Sequence, residues 1–150
     1  MINYKKILLT LILVVSFNSI SYAQDKYFNE GLKLFNEEKY EDAKFLFERS
    51  IVFDPKASNS YLYLAKIYEF EKDTKNEEKN LETTLLLEPN NEEALLMSMR
   101  IALEKTNYDK VKSLSETFSR VCTKLCKEKD EILETLKNLE PKNESWKKSW

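Results

Sequence analysis

The sequence contains no histidine, only one glycine and only three prolines in 150 residues. Histidine is the usual general base near neutral pH and the commonest metal ligand, so its absence argues against an enzyme, a metal site or a bound cofactor. Glycine supplies the positive φ that tight hairpins and phosphate-binding loops require, and a single glycine therefore disfavours both. With 42% hydrophobic and 33% charged residues, the composition predicts one globular domain of helices joined by short connections.

Residues 1–23 have the pattern of a secretory signal peptide. Two lysines precede an apolar run over 7–17, and a small-x-small motif ends at Ala23. The apolar run is shorter than the roughly 20 residues that a transmembrane helix needs, so an uncleaved membrane anchor is the less favoured alternative. We expect cleavage between Ala23 and Gln24, a periplasmic or secreted location, and no membrane contact after cleavage.

The charge balance argues against a nucleic-acid partner. The whole chain has 24 basic and 26 acidic residues, and the two leader lysines are the only charged residues within 1–23. The mature chain would therefore carry 22 basic and 26 acidic residues, a net charge of −4, with no basic stripe. No phosphate-binding loop or catalytic constellation indicates a small-molecule substrate.

An apolar stretch followed by an acid and a proline occurs twice at a fixed interval. Pro55 lies in "VFDPKAS" and Pro89 in "LLLEPNN", 34 residues later, whereas Pro141 lies out of phase. Proline cannot continue a helix and pushes the preceding residue out of the α region. Each motif thus predicts a helix end, with the next helix beginning at a polar residue such as Ser58 or Asn91.

A 34-residue period of helix–turn–helix units resembles the tetratricopeptide repeat. The first unit, 24–57, carries the resemblance through Tyr27, Gly31, Leu34, Tyr40, Ala43, Phe47, Ser50 and Pro55. The second unit, 58–91, retains Tyr61, Leu64, Ala65, Tyr68, Leu81 and Pro89, and the third, 92–125, retains Leu95, Ala102, Tyr108 and Phe118. Departures from the family pattern are Glu77, Thr84, Met99, Val111 and Thr123.

Hydrophobic periodicity independently predicts seven helices. Their expected bounds are 25–37, 40–53, 59–71, 74–87, 92–105, 108–121 and 128–139. The predicted fold is an all-α, tetratricopeptide-like α-solenoid over 24–140, with about three repeats and a C-terminal capping helix over 128–139.

The resemblance implies a non-catalytic adaptor that binds a peptide or helix of another protein on a concave face. That face would be built from the first helix of each repeat. Its expected lining is Phe28, Asn29, Leu32, Phe35, Leu62, Tyr63, Lys66, Phe70, Leu96, Met97 and Arg100. The alternative for several of these side chains is packing between helices, and we expect about half to be partly exposed. The basic residues with which chaperone-binding members hold a terminal carboxylate are replaced here by Phe28, Leu32, Tyr63, Glu93 and Met97.

Cys122 and Cys126 are the only cysteines. In an exported chain such a pair is first interpreted as a structural disulfide, and free buried thiols are the next alternative. A thiol-dependent redox or redox-sensing role for this pair is the main functional alternative to the adaptor. The tail, 141–150, carries Trp146 and Trp150, which we expect to pack on the repeats or to contact a partner.

Overall fold

The computed structural model describes residues 26–139, so the predicted leader over 1–23 and the tail over 141–150 lie outside the described residues. The described part contains seven α-helices and no strand, which confirms the all-α prediction. The helices are α1 (26–36), α2 (Tyr40–Phe53), α3 (Ser58–Glu71), α4 (Thr74–Leu87), α5 (Glu92–Glu104), α6 (Tyr108–Val121) and α7 (Cys126–Leu139). Every observed helix bound lies within two residues of the predicted one.

The helices form two compact units, with the boundary between Leu87 and Glu88. In the first unit α2 packs against α3, and α3 against α4. In the second unit α5 packs against α6, and α7 packs against both. The unit boundary falls immediately before Pro89, where the sequence predicts a helix end.

The turn within each helical pair repeats the same backbone geometry every 34 residues. Glu38, Lys72 and Thr106 each adopt a left-handed conformation, with φ of 59°, 58° and 54°. In each turn the following N–H donates to a carbonyl five residues back: Lys39 to Leu34, Asp73 to Tyr68 and Asn107 to Ala102, at 2.8–2.9 Å. This bond satisfies a carbonyl at the end of the preceding helix. The third repeat, although degenerate in sequence, therefore keeps the turn of the first two.

The core of the first unit depends on a close approach between α1 and α2. Its centre is Ala43, Phe47, Leu64 and Ile67, all buried. Gly31 on α1 faces this core, and a Cβ atom placed there would lie 2.9 Å from Cε1 of Phe47. Because Phe47 is fully buried and cannot move aside, the position requires glycine. The chain's single glycine therefore permits close packing of two helices and does not form a turn.

Helix α5 forms the centre of the second unit. Six consecutive residues, 94–99, are buried, as expected for a helix that is apolar on nearly every side. Met99 and Val111, which are larger than the residues usual in the family, are both fully buried. Their side chains therefore fill volume in the core. Ile132 and Leu136 are the buried residues of α7, and most of its exposed residues are charged.

Glu77 and Thr84, the two departures from the family pattern in the first unit, are also buried. Thr84 is fully buried and its hydroxyl donates to the carbonyl of Asn80 at 2.9 Å. Glu77 is buried within α4.

No helix between residues 26 and 139 combines the length and apolar character that crossing a bilayer requires.

The left-handed turn at Thr106 generates the first prediction. A β-branched residue is disfavoured at positive φ, whereas glycine adopts this conformation without steric cost. We expect Thr106→Gly to raise the free energy of unfolding by about 1 kcal/mol. Urea denaturation followed by circular dichroism measures the change.

Thr135→Gly is the matched control, because Thr135 is an exposed residue inside α7. There glycine should lower the free energy of unfolding by roughly 0.4 kcal/mol, since it is the poorer helix former. Equal losses of stability in the two variants would show that the turn at Thr106 carries no backbone strain.

Candidate partner-binding surface

An aromatic ladder joins the first helices of the two repeats in the first unit. It consists of Phe28, Tyr63, Phe35, Phe70 and Tyr40. The Tyr63 ring stands edge-on to Phe28, at 5.8 Å between centroids, and to Phe35, at 5.1 Å. Phe35 in turn contacts Tyr40 edge-on at 5.5 Å, and Tyr40 stacks on Phe70 at 4.6 Å. The ladder rests on the core, because Phe28 and Tyr63 both contact the buried Phe47 ring.

The predicted concave-face residues of the first unit divide into packing and accessible side chains. Phe28, Phe35 and Tyr63 are half-buried and hold α1 against α3. Asn29 and Phe70 are exposed, while Leu32 and Lys66 are half-buried. Their spacing places Asn29 and Leu32 on one stripe of α1, and Lys66 and Phe70 on one stripe of α3. We call these four residues the α1/α3 stripe.

The ammonium of Lys66 is oriented by the ladder. Its Nζ atom lies 4.4 Å from the centroid of the Tyr63 ring, a cation–π distance. Tyr63 itself contacts Phe28 and Phe35, so the ammonium lies over a ring that is packed between two others. The stripe thus presents apolar, amide and cationic groups together.

Three residues predicted to line the partner surface are buried and do not form part of an accessible surface. Leu62 is buried in the first unit, and Leu96 and Met97 are buried in the second. The physical reason is that α3 and α5 bury more than one face, which helical spacing alone does not distinguish from a single stripe. Of the predicted residues in the second unit, only Arg100 is exposed.

The second unit contains an unpredicted carboxylate site at the start of α7. The Glu92 carboxylate accepts hydrogen bonds from the N–H and the hydroxyl of Thr123, at 2.7 and 2.6 Å. It also accepts from the N–H groups of Lys124 and Leu125, at 3.0 and 2.9 Å. Amide donors that precede a helix form a favourable site for a negative charge. Glu92 thereby connects the first turn of α5 to the loop that precedes α7.

These hydrogen bonds strongly stabilise the ionised form of Glu92. The hydroxyl of Thr123 contributes most and the N–H of Leu125 next, and together with the other amides they lower the pKa of Glu92 to about 2. Sequence reasoning missed this role because the donors lie more than 30 residues away. The one available signal was the threonine at the position where the family places proline.

A disulfide between Cys122 and Cys126 closes the same loop. Cys122 directly follows α6 and Cys126 begins α7, with their Cα atoms 5.5 Å apart. The bridge confines residues 123–125, whose N–H groups converge on Glu92. The structure therefore agrees with the disulfide alternative for this pair, and both sulfur-bearing residues are half-buried.

Metal-ion binding is a further question at the candidate surface. Within 26–139, no three His, Cys, Asp or Glu residues are grouped so that they could hold a metal ion. The side chains of the α1/α3 stripe offer hydrogen bonds, cation–π contacts and apolar area, which are the means of recognising another chain.

The fold is that of a tetratricopeptide-repeat domain. The TPR2B domain of yeast Sti1, solved as a complex with pHsp70, has a TM-score of 0.71 at 11% identity, and the match covers 79% of this chain and 99% of that domain. The first TPR of Spaghetti (RPAP3), bound to the HSP90 peptide SRMEEVD, has a TM-score of 0.69 at 16% identity, covering 79% and 94%. The Yersinia enterocolitica chaperone SycD, in complex with a YopD peptide, has a TM-score of 0.65 at 13% identity. This match covers 76% of the present chain and 89% of SycD. No family model and no curated protein matches the sequence.

The Glu92 site generates a pH prediction. The pKa of Glu92 is lower in the folded state than its ordinary 4.5, so the carboxylate stabilises the fold above pH 4.5. That contribution is lost as the pH falls towards about 2. We expect Glu92→Gln to lower the melting temperature at pH 7, and we expect the difference from wild type to shrink between pH 4.5 and 2.5. Scanning calorimetry of both proteins between pH 7 and pH 2.5 measures this difference in melting temperature.

Glu116→Gln is the control, because it removes the same charge from an exposed position on α6. Its melting temperature should stay close to that of wild type at every pH. If the Glu92→Gln curve runs parallel to the wild-type curve down to pH 2.5, the hydrogen-bonded carboxylate does not stabilise the fold.

Proposed function

We propose that this chain is an exported, non-catalytic interaction module that binds a peptide or helix of a partner protein on the α1/α3 stripe. The observation that carries the proposal is the stripe itself. Asn29 and Phe70 are exposed and Lys66 is half-buried, beside aromatic rings that pack α1 against α3. A rigid surface with aromatic anchors loses little conformational entropy on binding. Solved structures of similar fold that are in complex with pHsp70, an HSP90 peptide or a YopD peptide support the same class of function.

The partner's recognition element should differ from the HSP90 peptide bound by RPAP3. That peptide, SRMEEVD, carries three acidic side chains. The positions at which chaperone-binding members hold a terminal carboxylate contain no cation in this chain. Phe28 and Tyr63 are occupied in the ladder and Met97 is buried. We therefore propose recognition through apolar and hydrogen-bonding side chains of an internal segment, and not through a partner's terminal carboxylate.

Site-specific photo-crosslinking tests the α1/α3 stripe. A photoreactive phenylalanine analogue placed at Asn29 or at Lys66 should form covalent adducts with a partner protein in native cells. We expect the same partner band from both positions, because a segment lying on the stripe contacts α1 and α3 together. Mass spectrometry of the adduct identifies the partner segment.

The analogue placed at Glu48, an exposed residue of α2, is the control. It should give no adduct with that partner. A partner band of equal strength from Glu48, or from Glu48 alone, would place binding outside the stripe and refute the proposal.

We further propose that export precedes this function. The leader pattern over 1–23 supports it, and so does the disulfide between Cys122 and Cys126, since such bonds persist in oxidising compartments. A bridge across so short a loop constrains the unfolded chain little, so we assign it a local role in fixing residues 123–125. On this view the pair supports structure, and the redox alternative is secondary.

The export proposal predicts a chain that starts at Gln24 and has no titratable thiol. Protein recovered from the envelope or medium of native cells should have the mass of residues 24–150, and thiol titration should detect two thiols only after reduction. A full-length chain with both thiols free, recovered from the cytosol, would contradict export. Crosslinks from Asn29 that disappear when the disulfide is reduced would instead favour the redox-sensing alternative.

A further inference from the structure

The first unit has a second candidate surface, where the start of α2 meets the end of α3. It shares Phe70 with the α1/α3 stripe. Tyr40 is the first residue of α2 and Phe70 is close to the end of α3, and their rings stack at 4.6 Å with an interplanar angle of 19°. Phe35 braces both rings, with centroids 5.5 Å from Tyr40 and 6.3 Å from Phe70. Phe70 nevertheless remains 59% exposed. A braced but exposed aromatic ring is a preformed platform for a ligand.

The platform forms one wall of an open cleft of about 610 Å³. Four carboxylates line the cleft: Glu38, Glu41, Asp42 and Glu71. Lys39 is the only cation in the lining, so the cleft carries a local charge of −3. The rim of the cleft is therefore strongly acidic.

Two ammonium groups at the cleft, those of Lys39 and Lys44, are already engaged by neighbouring acids. The Nζ atom of Lys39 lies 2.7 Å from Glu37, which is outside the lining. The Nζ atom of Lys44 donates to both carboxylate oxygens of Glu71, at 3.0 Å. Glu38, Glu41 and Asp42 therefore remain the acids best placed to attract a cation from another molecule.

We propose that this cleft binds a single arginine side chain of a partner peptide, with the guanidinium stacked on Phe70 and paired with Glu41 or Asp42. A planar guanidinium suits both an aromatic face and a carboxylate, which a compact ammonium does less well. The protein already contains such a pairing, because the Arg49 guanidinium lies 4.7 Å from the Tyr27 ring and 5.6 Å from the Phe45 ring. The acidic rim disfavours acidic peptides and anionic membrane surfaces.

This site depends on the proposed function only in that its ligand is a peptide. It can be tested without the native partner. The probes are the synthetic peptide acetyl-Ala-Ala-Arg-Ala-Ala-amide and its neutral isostere with citrulline in place of arginine. Backbone amide shifts of the folded 24–150 chain are followed by NMR during titration with each peptide.

We expect the arginine peptide to shift the amides of residues 38–42 and 70–71 saturably, and the citrulline peptide to bind more weakly. Phe70→Ala should weaken arginine binding about two- to fivefold, the loss expected for one exposed cation–π contact. Phe45→Ala is the matched control, because Phe45 is 56% exposed and lies outside the cleft. It should leave the affinity unchanged.

The charge contribution is tested with Glu41→Gln/Asp42→Asn, two substitutions at exposed positions that leave the aromatic packing intact. This variant should also weaken binding, and raising the salt concentration to about 0.5 M should do the same in wild type. Equal shifts with arginine and citrulline, shifts outside the cleft, or unchanged affinity in both variants would overturn the proposal. Failure here would leave crosslinking from Asn29 and Lys66 unaffected, so the two proposals fail separately.

Discussion

The left-handed turn that joins the two helices of each pair is the constraint on which this structure depends. At Glu38, Lys72 and Thr106 the backbone reverses within three residues, and the next N–H satisfies a carbonyl of the helix just ended. The reversal brings the second helix back along the first, so that their apolar faces can meet. None of these three residues is glycine, which means that packing of the helices offsets the steric cost of each turn.

The two aromatic surfaces of the first unit follow from these turns. Reversal at Glu38 brings Tyr40 edge-on to Phe35, and the adjacent repeat brings Phe70 into a stacked contact with Tyr40. The core cannot enclose every ring, because helical pairs bury only part of each helix. Aromatic area therefore remains accessible both on the α1/α3 stripe and in the acidic cleft. The two proposed binding surfaces therefore consist of side chains that the core leaves uncovered.

The third repeat uses a different means of ending its second helix. The first two repeats end at Pro55 and Pro89, whereas Thr123 occupies the corresponding position in the third. The hydroxyl and N–H of Thr123 bind Glu92, and the bridge between Cys122 and Cys126 confines the loop around them. The disulfide and the hydrogen-bonded Glu92 carboxylate together replace the conformational effect of one proline.

Sequence alone determined the helices and their repeat, because proline positions, a 34-residue period and apolar spacing are local properties of the chain. Tertiary structure decided which predicted residues are accessible: Leu62 and Met97 became buried, while Phe70 stayed exposed. It also brought Glu92 to Thr123, and Tyr40 to Phe70. These pairings join residues 30 or more positions apart, and no local pattern encodes which side chains meet when helices pack.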